Sequence, residues 1–301
     1  MDTDSTQVES PRRDGGVKKA VSFVRTHKTL SVFLFIIGLA TLQLALLPFG
    51  DIADLRKANP AETAFMRAQA EDAKSRGAGF RKRQHWIPLQ AIPKSVVDAV
   101  IVAEDGTFWS HGGFDWYEFR ESLEKNVTQG RAVRGASTIT QQLVKNLYLS
   151  ASKNPLRKLK EWILTWYMER LLNKSRILEL YLNVIEWGDG VYGVDAAAQY
   201  YFGKSAADLS RDEATRLAAI IPSPRRHRAD ENSRYVVRRA SIILARMEAR
   251  GMVRFPATGI DSLAVLLPGA ADNSAPIPPM IEAPEDSALD TTTSDARYEL
   301  P

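Results

Sequence analysis

From Thr29 to Gly50 the chain reads TLSVFLFIIGLATLQLALLPFG, with no charged side chain. About 20 apolar residues in a row carry a helix across a bilayer. A backbone placed in hydrocarbon must satisfy its own hydrogen bonds, which a helix does. This run divides the chain into two ends that meet different solvents. Arg12, Arg13, Lys18, Lys19, Arg25 and Lys28 precede it, and Asp51 and Asp54 follow it. That asymmetry predicts a cytoplasmic N-terminus and a far-side location for everything after Gly50. A cleaved signal peptide is the rival reading. Its apolar core spans about 7–15 residues and ends in a small-x-small site; this run is longer, and Ala40 and Ala45 form no such site. An uncleaved anchor is therefore expected.

The expected organisation is a basic cytoplasmic tail over 1–28, the anchor over 29–50, a connector over 51–84, a folded domain over 85–252, and a disordered acidic tail over 253–301. The connector is rich in Ala, Arg, Glu and Lys. The tail holds few large apolar residues, too few to offset the entropy of ordering. Cysteine is absent from the 301 residues, which excludes a disulfide framework, a thiolate nucleophile and a cysteine metal site. The net charge is only +4, but basic residues crowd the first 28 positions and the stretch from Arg131 to Arg176. A basic domain centre suits an anionic ligand. No common nucleic-acid signature is present, so phosphate on a smaller partner is the favoured ligand.

Inside the domain the apolar spacing is helical almost throughout. Helices are expected over Lys94–Glu104, Leu156–Leu172, Ser175–Trp187 with Ser175 as N-cap, Asp195–Tyr201, and Arg211–Ile221 stopped by Pro222. Strand alternation is scarce, and the class is mainly α. The segment Gly135–Asn146 reads Gly-Ala-Ser-Thr-Ile-Thr-Gln-Gln-Leu-Val-Lys-Asn. As a helix it sets Ser137, Gln141 and Lys145 on one face, four apart, and Ile139, Leu143 and Leu147 on another. One face packs; the other offers hydroxyl, amide and ammonium groups. Thr138 and Gln141 also match a capping box, which can coexist with ligand binding by Ser137 and Lys145.

Two carboxylates stand out. Glu104 is expected near a helix C-terminus, where the dipole disfavours the anion. Burial against Phe108 and Trp109 would act in the same direction and tune it as a proton acceptor; the alternative is a surface Glu at a fraying helix end. Glu161 follows Arg157 by four residues and Lys158 by three, which by itself describes an ordinary helical ion pair. Its company argues for more: Lys145, Lys153, Arg157, Lys158 and Lys160 crowd one stretch and repel one another unless an anion such as pyrophosphate joins them. His111 reads as a base or as a packing residue. Gly188-Asp-Gly190-x-x-Gly193 lacks the preceding strand of a dinucleotide fingerprint. Ser150-Ala-Ser-Lys153 matches S-x-x-K without its companion motifs. No metal-ligand spacing is visible.

Read together, the motifs resemble those of the monofunctional biosynthetic peptidoglycan glycosyltransferases, the family 51 transglycosylases also found as the first domain of bifunctional penicillin-binding proteins. The blocks stand in order as Glu104-Asp105-x-x-Phe108-x-x-His111-x-Gly113-Phe114-Asp115; Gly135-x-Ser137-Thr-Ile-Thr-Gln-Gln142-Leu-Val-Lys145-Asn146; Arg157-Lys158-x-x-Glu161; Ile177-Leu-Glu179-x-Tyr181-Leu-Asn183 on to Gly188, Gly193-Val and Ala197 to Tyr201-Phe-Gly-Lys204; and Glu213-Ala-x-x-Leu217-Ala-Ala. The resemblance covers about Trp86 to Arg228 and implies a lysozyme-like, two-lobed helical glycosyltransferase domain beside the outer face of the bacterial inner membrane, behind one transmembrane helix. It implies polymerisation of lipid II into β-1,4 glycan strands, with inversion and release of undecaprenyl pyrophosphate. Glu104 would be the general base and Glu161 the second site carboxylate, orienting basic side chains or a divalent ion such as Mg2+ or Mn2+; no cofactor is otherwise required. Ser137, Gln141, Lys145, Asn146, Lys153, Arg157 and Lys158 would bind substrate around the donor phosphates. The implied partners are lipid II, the lipid-linked glycan, the membrane and cell-wall synthesis or division proteins. Lys153 stands where many members carry Arg, which keeps the charge but loses the planar fork. Gly112–Arg134 corresponds to a mobile, membrane-leaning segment in the family, and Phe114, Trp116, Tyr117 and Phe119 suit an interface. A glycan-cutting hydrolase and a non-catalytic scaffold are the competing readings; the basic cluster argues against the first.

Overall fold

A computed structural model describes residues 28–129, 137–149 and 155–252. The two charged tails, Lys153, and Gly135 and Ser150 of the motifs above lie outside them. The chain divides into two units, residues 1–48 and 49–301.

In the first unit, helix α1 (Lys28–Ala45) carries the apolar run. Its 18 residues span about 27 Å at 1.5 Å per residue, close to the roughly 30 Å of a hydrocarbon core. Its large apolar side chains are exposed, Phe35 at 72%. It ends short of the expected Gly50, ahead of Pro48, whose ring disfavours helical geometry in the residue before it.

The second unit is mainly helical. Its elements are α2 (Phe49–Asp54), α3 (Ala64–Ser75), β1 (Arg83–Gln84), α4 (Lys94–Glu104), α5 (Trp116–Gln129), α6 (Ile139–Tyr148), α7 (Pro155–Leu171), α8 (Lys174–Val184), β2 (Glu186–Gly188), β3 (Val191–Tyr192), α9 (Val194–Phe202), α10 (Arg211–Ile220) and α11 (Arg234–Ala249). Helix α6 packs against α7, α8 and α3, while α4 packs against α10 and α11. The core between them includes Ile101, Phe108, Ile139, Leu143, Leu164, Met168, Ile177 and Tyr181, all 1% exposed or less. Each such side chain contributes roughly 1.5–3 kcal/mol. The connector helices take part, since Ile52 of α2 and Met66 of α3 are fully buried.

Helix α4 occupies its expected range, from after Pro93 to before Gly106. Elsewhere the chain departs from expectation for local reasons. Helix α8 starts earlier because Asn173, not Ser175, is its N-cap, its side chain accepting from Arg176 N–H. It also stops at Val184, since Glu186–Gly188 becomes a strand paired antiparallel to β3, with β1 parallel on the other side of β3. The glycine loop is the turn of that hairpin. Gly190 has φ 68°, and a Cβ there would sit 2.5 Å from the Arg81 carbonyl oxygen, so both backbone and space demand glycine.

Two carboxylates clamp the second half. Asp195 accepts from Ala206 N–H at 2.8 Å and bonds His85 Nδ1 at 2.7 Å. Glu213 accepts from Lys204 and from Ser210 N–H in a capping box. Burial alone would raise both carboxyls, but these partners hold Asp195 and Glu213 below their ordinary values. A depressed folded value stabilises the fold above the unfolded pKa and loses that stabilisation as pH falls through the folded one. The melting temperature should drop as pH falls below about 4, and Asp195→Asn should flatten part of that drop in a pH series of thermal melts.

Candidate active site

Glu104 is the last residue of α4, and its side chain is only 9% exposed. Gln142 Nε2 donates to Glu104 Oε2 at 2.9 Å, and Arg239 Nη2 to Oε1 at 3.4 Å. The Gln142 amide is fixed from behind, since Tyr181 Oη donates to its Oε1 at 2.9 Å. Burial pushes the Tyr181 phenol well above its usual range, and the charges of Glu104 and Asp105 add to this, so it remains a donor. Trp109 is 52% exposed, and the Phe108 ring meets Trp109, His111 and the Lys174 ammonium.

Asp105 builds the other side of this corner. One oxygen accepts from Ile139 N–H at 3.0 Å, the other contacts His111 Nε2 at 2.8 Å. Gly113 N–H donates to His111 Nδ1 at 3.1 Å, which assigns the ring proton to Nε2 and makes that nitrogen the donor to Asp105. His111 thus ties a loop to a helix start, the packing role of its two readings. Thr138 caps α6 and donates its own hydroxyl to Gly113 O, while Gln141 closes the capping box. The helix therefore begins at Ile139 rather than Gly135, and Ser137 lies before its cap. Asp105→Ala should leave the Ile139 amide and His111 Nε2 without their Asp105 acceptor and destabilise the protein by about 2–3 kcal/mol in urea unfolding.

On α7, Glu161 is 2% exposed. Arg157 Nη1 donates to its Oε2 at 3.0 Å, and Lys158 Nζ donates to its Oε1. An exposed helical ion pair is excluded; this carboxylate is buried and holds two cations. Lys158 also reaches a cleft of about 220 Å3, lined with Ser137, Gln141, Asp115 and Ser122 and with the aromatic residues Phe114, Trp116, Phe119 and Trp162. The rings form one cluster around Trp162, with Phe114 stacked on Trp116 at 5.5 Å. Ser122 Oγ and Trp162 Nε1 are buried with no hydrogen-bond partner among the described residues. Burial would raise the Asp115 carboxyl, but Thr107 Oγ1–H and the Glu118 N–H hold it below the usual range.

Of the candidates, Ser137, Gln141 and Lys158 come together in this cleft, and Arg157 and Lys158 meet at Glu161. Glu104, Lys145 and Asn146 are not among the residues lining the cleft. Asn146 Nδ2 donates to Gln142 O within its own helix. The two regions are joined through α6, whose Gln141 faces the cleft while Gln142 holds Glu104. Lys145 lies one turn on from both, at i+4 and i+3. A divalent ion at Glu161 would sit beside the two cations already on its oxygens, and among the described residues no three His, Asp or Glu side chains gather as a metal site. Nothing in the sequence marked Gln142 and Arg239 as partners of Glu104, Tyr181 as the group behind Gln142, or Ser122 and Trp162 as residues of the cleft.

Comparison with known proteins places the domain. Residues 71–248 match the family model described as Transglycosylase. Proteins named biosynthetic peptidoglycan transglycosylase are similar: one from Methylobacillus flagellatus is 47% identical over 189 residues, covering 63% of this chain and 82% of the relative. Others from Nitrosospira multiformis (44% over 189 residues, 63% and 82%) and Thiobacillus denitrificans (47% over 187 residues, 62% and 80%) agree. The chain belongs to the transglycosylase family. It is an enzyme, a peptidoglycan glycosyltransferase, similar to the proteins named biosynthetic peptidoglycan transglycosylase.

Proposed function

We propose that this enzyme polymerises peptidoglycan glycan strands from lipid II. Glu104 accepts the proton of the acceptor 4-hydroxyl as its oxygen attacks the donor anomeric carbon from the face opposite the leaving group. The new β-1,4 bond forms as the bond to phosphate breaks, and the electron pair leaves with undecaprenyl pyrophosphate. Lys158 and Arg157, oriented by Glu161, together with Lys145 and Lys153, stabilise the charge growing there. Such preorganised electrostatics usually supply the largest share of rate enhancement. Ser137 and Gln141 bind donor groups within the cleft, and Asn146 belongs to the same substrate surface.

The observation that carries this reading is the use of two flanks of α6. One flank holds a buried carboxylate at a helix end, and the other lines a cleft with a fixed ammonium. A lipid-linked substrate also accounts for the exposed apolar side chains of the cleft lining, Trp116 (62%) and Leu123 (54%), and of α7, Leu156 (61%) and Leu159 (53%). Aromatic residues of this kind favour a membrane interface. The apolar α1 would anchor the catalytic domain on the periplasmic side of the inner membrane, where substrate and enzyme meet in two dimensions.

Full-length protein in detergent, given labelled lipid II, should yield long glycan polymer. Release of soluble fragments from purified sacculi, with no polymer from lipid II, would instead establish the glycan-cutting activity and overturn this function.

A further inference from the structure

We propose that Arg239 on α11 is a positioning residue for Glu104, holding the carboxylate ionised and aimed for proton transfer; this rests on the proton-acceptor reading above. Arg239 and Glu104 are separated by 135 residues, yet their side chains are 8% and 9% exposed and in contact at 3.4 Å. A guanidinium keeps its proton in proteins, so Arg239 is a permanent charge in a place where charge is costly unless countered. Its Nε is buried without a hydrogen-bond partner among the described residues, so the fork is not used for a full bidentate pair. Arg239 therefore biases Glu104 without clamping both of its oxygens.

Arg239 is a cation in direct contact with the Glu104 carboxylate, whereas Arg250, at the end of α11, donates to the Gly106 carbonyl oxygen at 2.6 Å. Gln142 from α6 is neutral, and Tyr181 from α8 is a buried phenol. Tyr235, beside Arg239 on α11, is likewise raised, chiefly by burial, and its hydroxyl has no partner among the described residues. Asp105, the next residue, is negative and is engaged by His111 and the Ile139 amide. On α10, Arg211 and Asp212 are exposed, Glu213 is paired with Lys204, and Arg216 with Asp212 and Asn232. Burial and the helix C-terminus both favour a neutral Glu104; Arg239 opposes them. A proton acceptor needs that balance, ionised at neutral pH but not held so firmly that it stops being a base.

The test is lipid II polymerisation by the full chain in detergent across pH. Arg239→Gln should move the acid limb of the rate profile up by about one pH unit or more, with KM near the wild-type value. Arg239→Lys, which keeps the charge, should leave the limb close to wild type. Activity lowered equally in both variants, with the limb unmoved, would show a purely structural arginine and overturn the proposal. Thermal melts give a readout independent of activity. Arg239→Gln should cost less melting temperature in a Glu104→Gln background than in wild type, because the partner charge is already gone; an equal loss would also overturn it. If Glu104→Gln itself still polymerises, the proton-acceptor reading fails, a result distinct from either Arg239 outcome.

Discussion

Glu104→Gln should lower lipid II polymerisation by about 10²–10⁴-fold, the range general base catalysis contributes. The amide has nearly the shape of the carboxylate and can still bond Gln142, so α4 and its contacts with α10 and α11 persist. What disappears is the ability to take a proton. The substitution also leaves Arg239 without its counter-charge, and breaking a buried pair on one side costs about 3–5 kcal/mol. A lower melting temperature is thus part of the expectation, and rates should be compared well below it, with circular dichroism confirming the helices. A scaffold protein would show the stability change and no functional one.

Lys158→Ala carries the second large effect. Its ammonium lines the cleft and is fixed by Glu161, which is buried and shared with Arg157. Removing a preorganised group that faces developing charge costs about 10²–10³ in turnover. Here KM for lipid II should rise as well, because the leaving pyrophosphate is already charged in the ground state. Glu161→Gln should act in the same direction, by releasing Lys158 and Arg157 from their fixed positions. The two substitutions should combine with less than additive cost, since both remove one interaction. Full additivity in a double-mutant cycle would mean that Glu161 serves some purpose other than orienting Lys158.

The legible parts of this fold are those decided within a few residues. Pro93 and Gly106 bracket α4, and the Thr138–Gln141 pair that reads as a capping box is one. Helix α5 falls within the segment Gly112–Arg134, and its start is signalled locally. Asp115 is followed three residues later by Glu118, and its Oδ1 accepts from Glu118 N–H at 2.8 Å. The hairpin of β2 and β3 gave no signal because its strands are only three and two residues long, and β3 pairs with β1 from the other end of the domain. The site divides in the same way. Glu161 and its two cations are one helical turn apart and can be read directly. Gln142 and Arg239 reach Glu104 across 38 and 135 residues, a proximity made only by packing α6 and α11 around α4. Burial, too, was invisible locally: nothing in Arg157-Lys158-x-x-Glu161 distinguishes a solvated ion pair from the enclosed one found here.

The central claim is a division of labour, in which Glu104 performs chemistry and the cationic cleft holds the donor. Titration of fluorescent lipid II into the Glu104→Gln protein tests it directly. Affinity close to wild type, together with lost polymerisation, is the predicted result. Affinity that falls in parallel with turnover would make Glu104 a binding group and contradict the account.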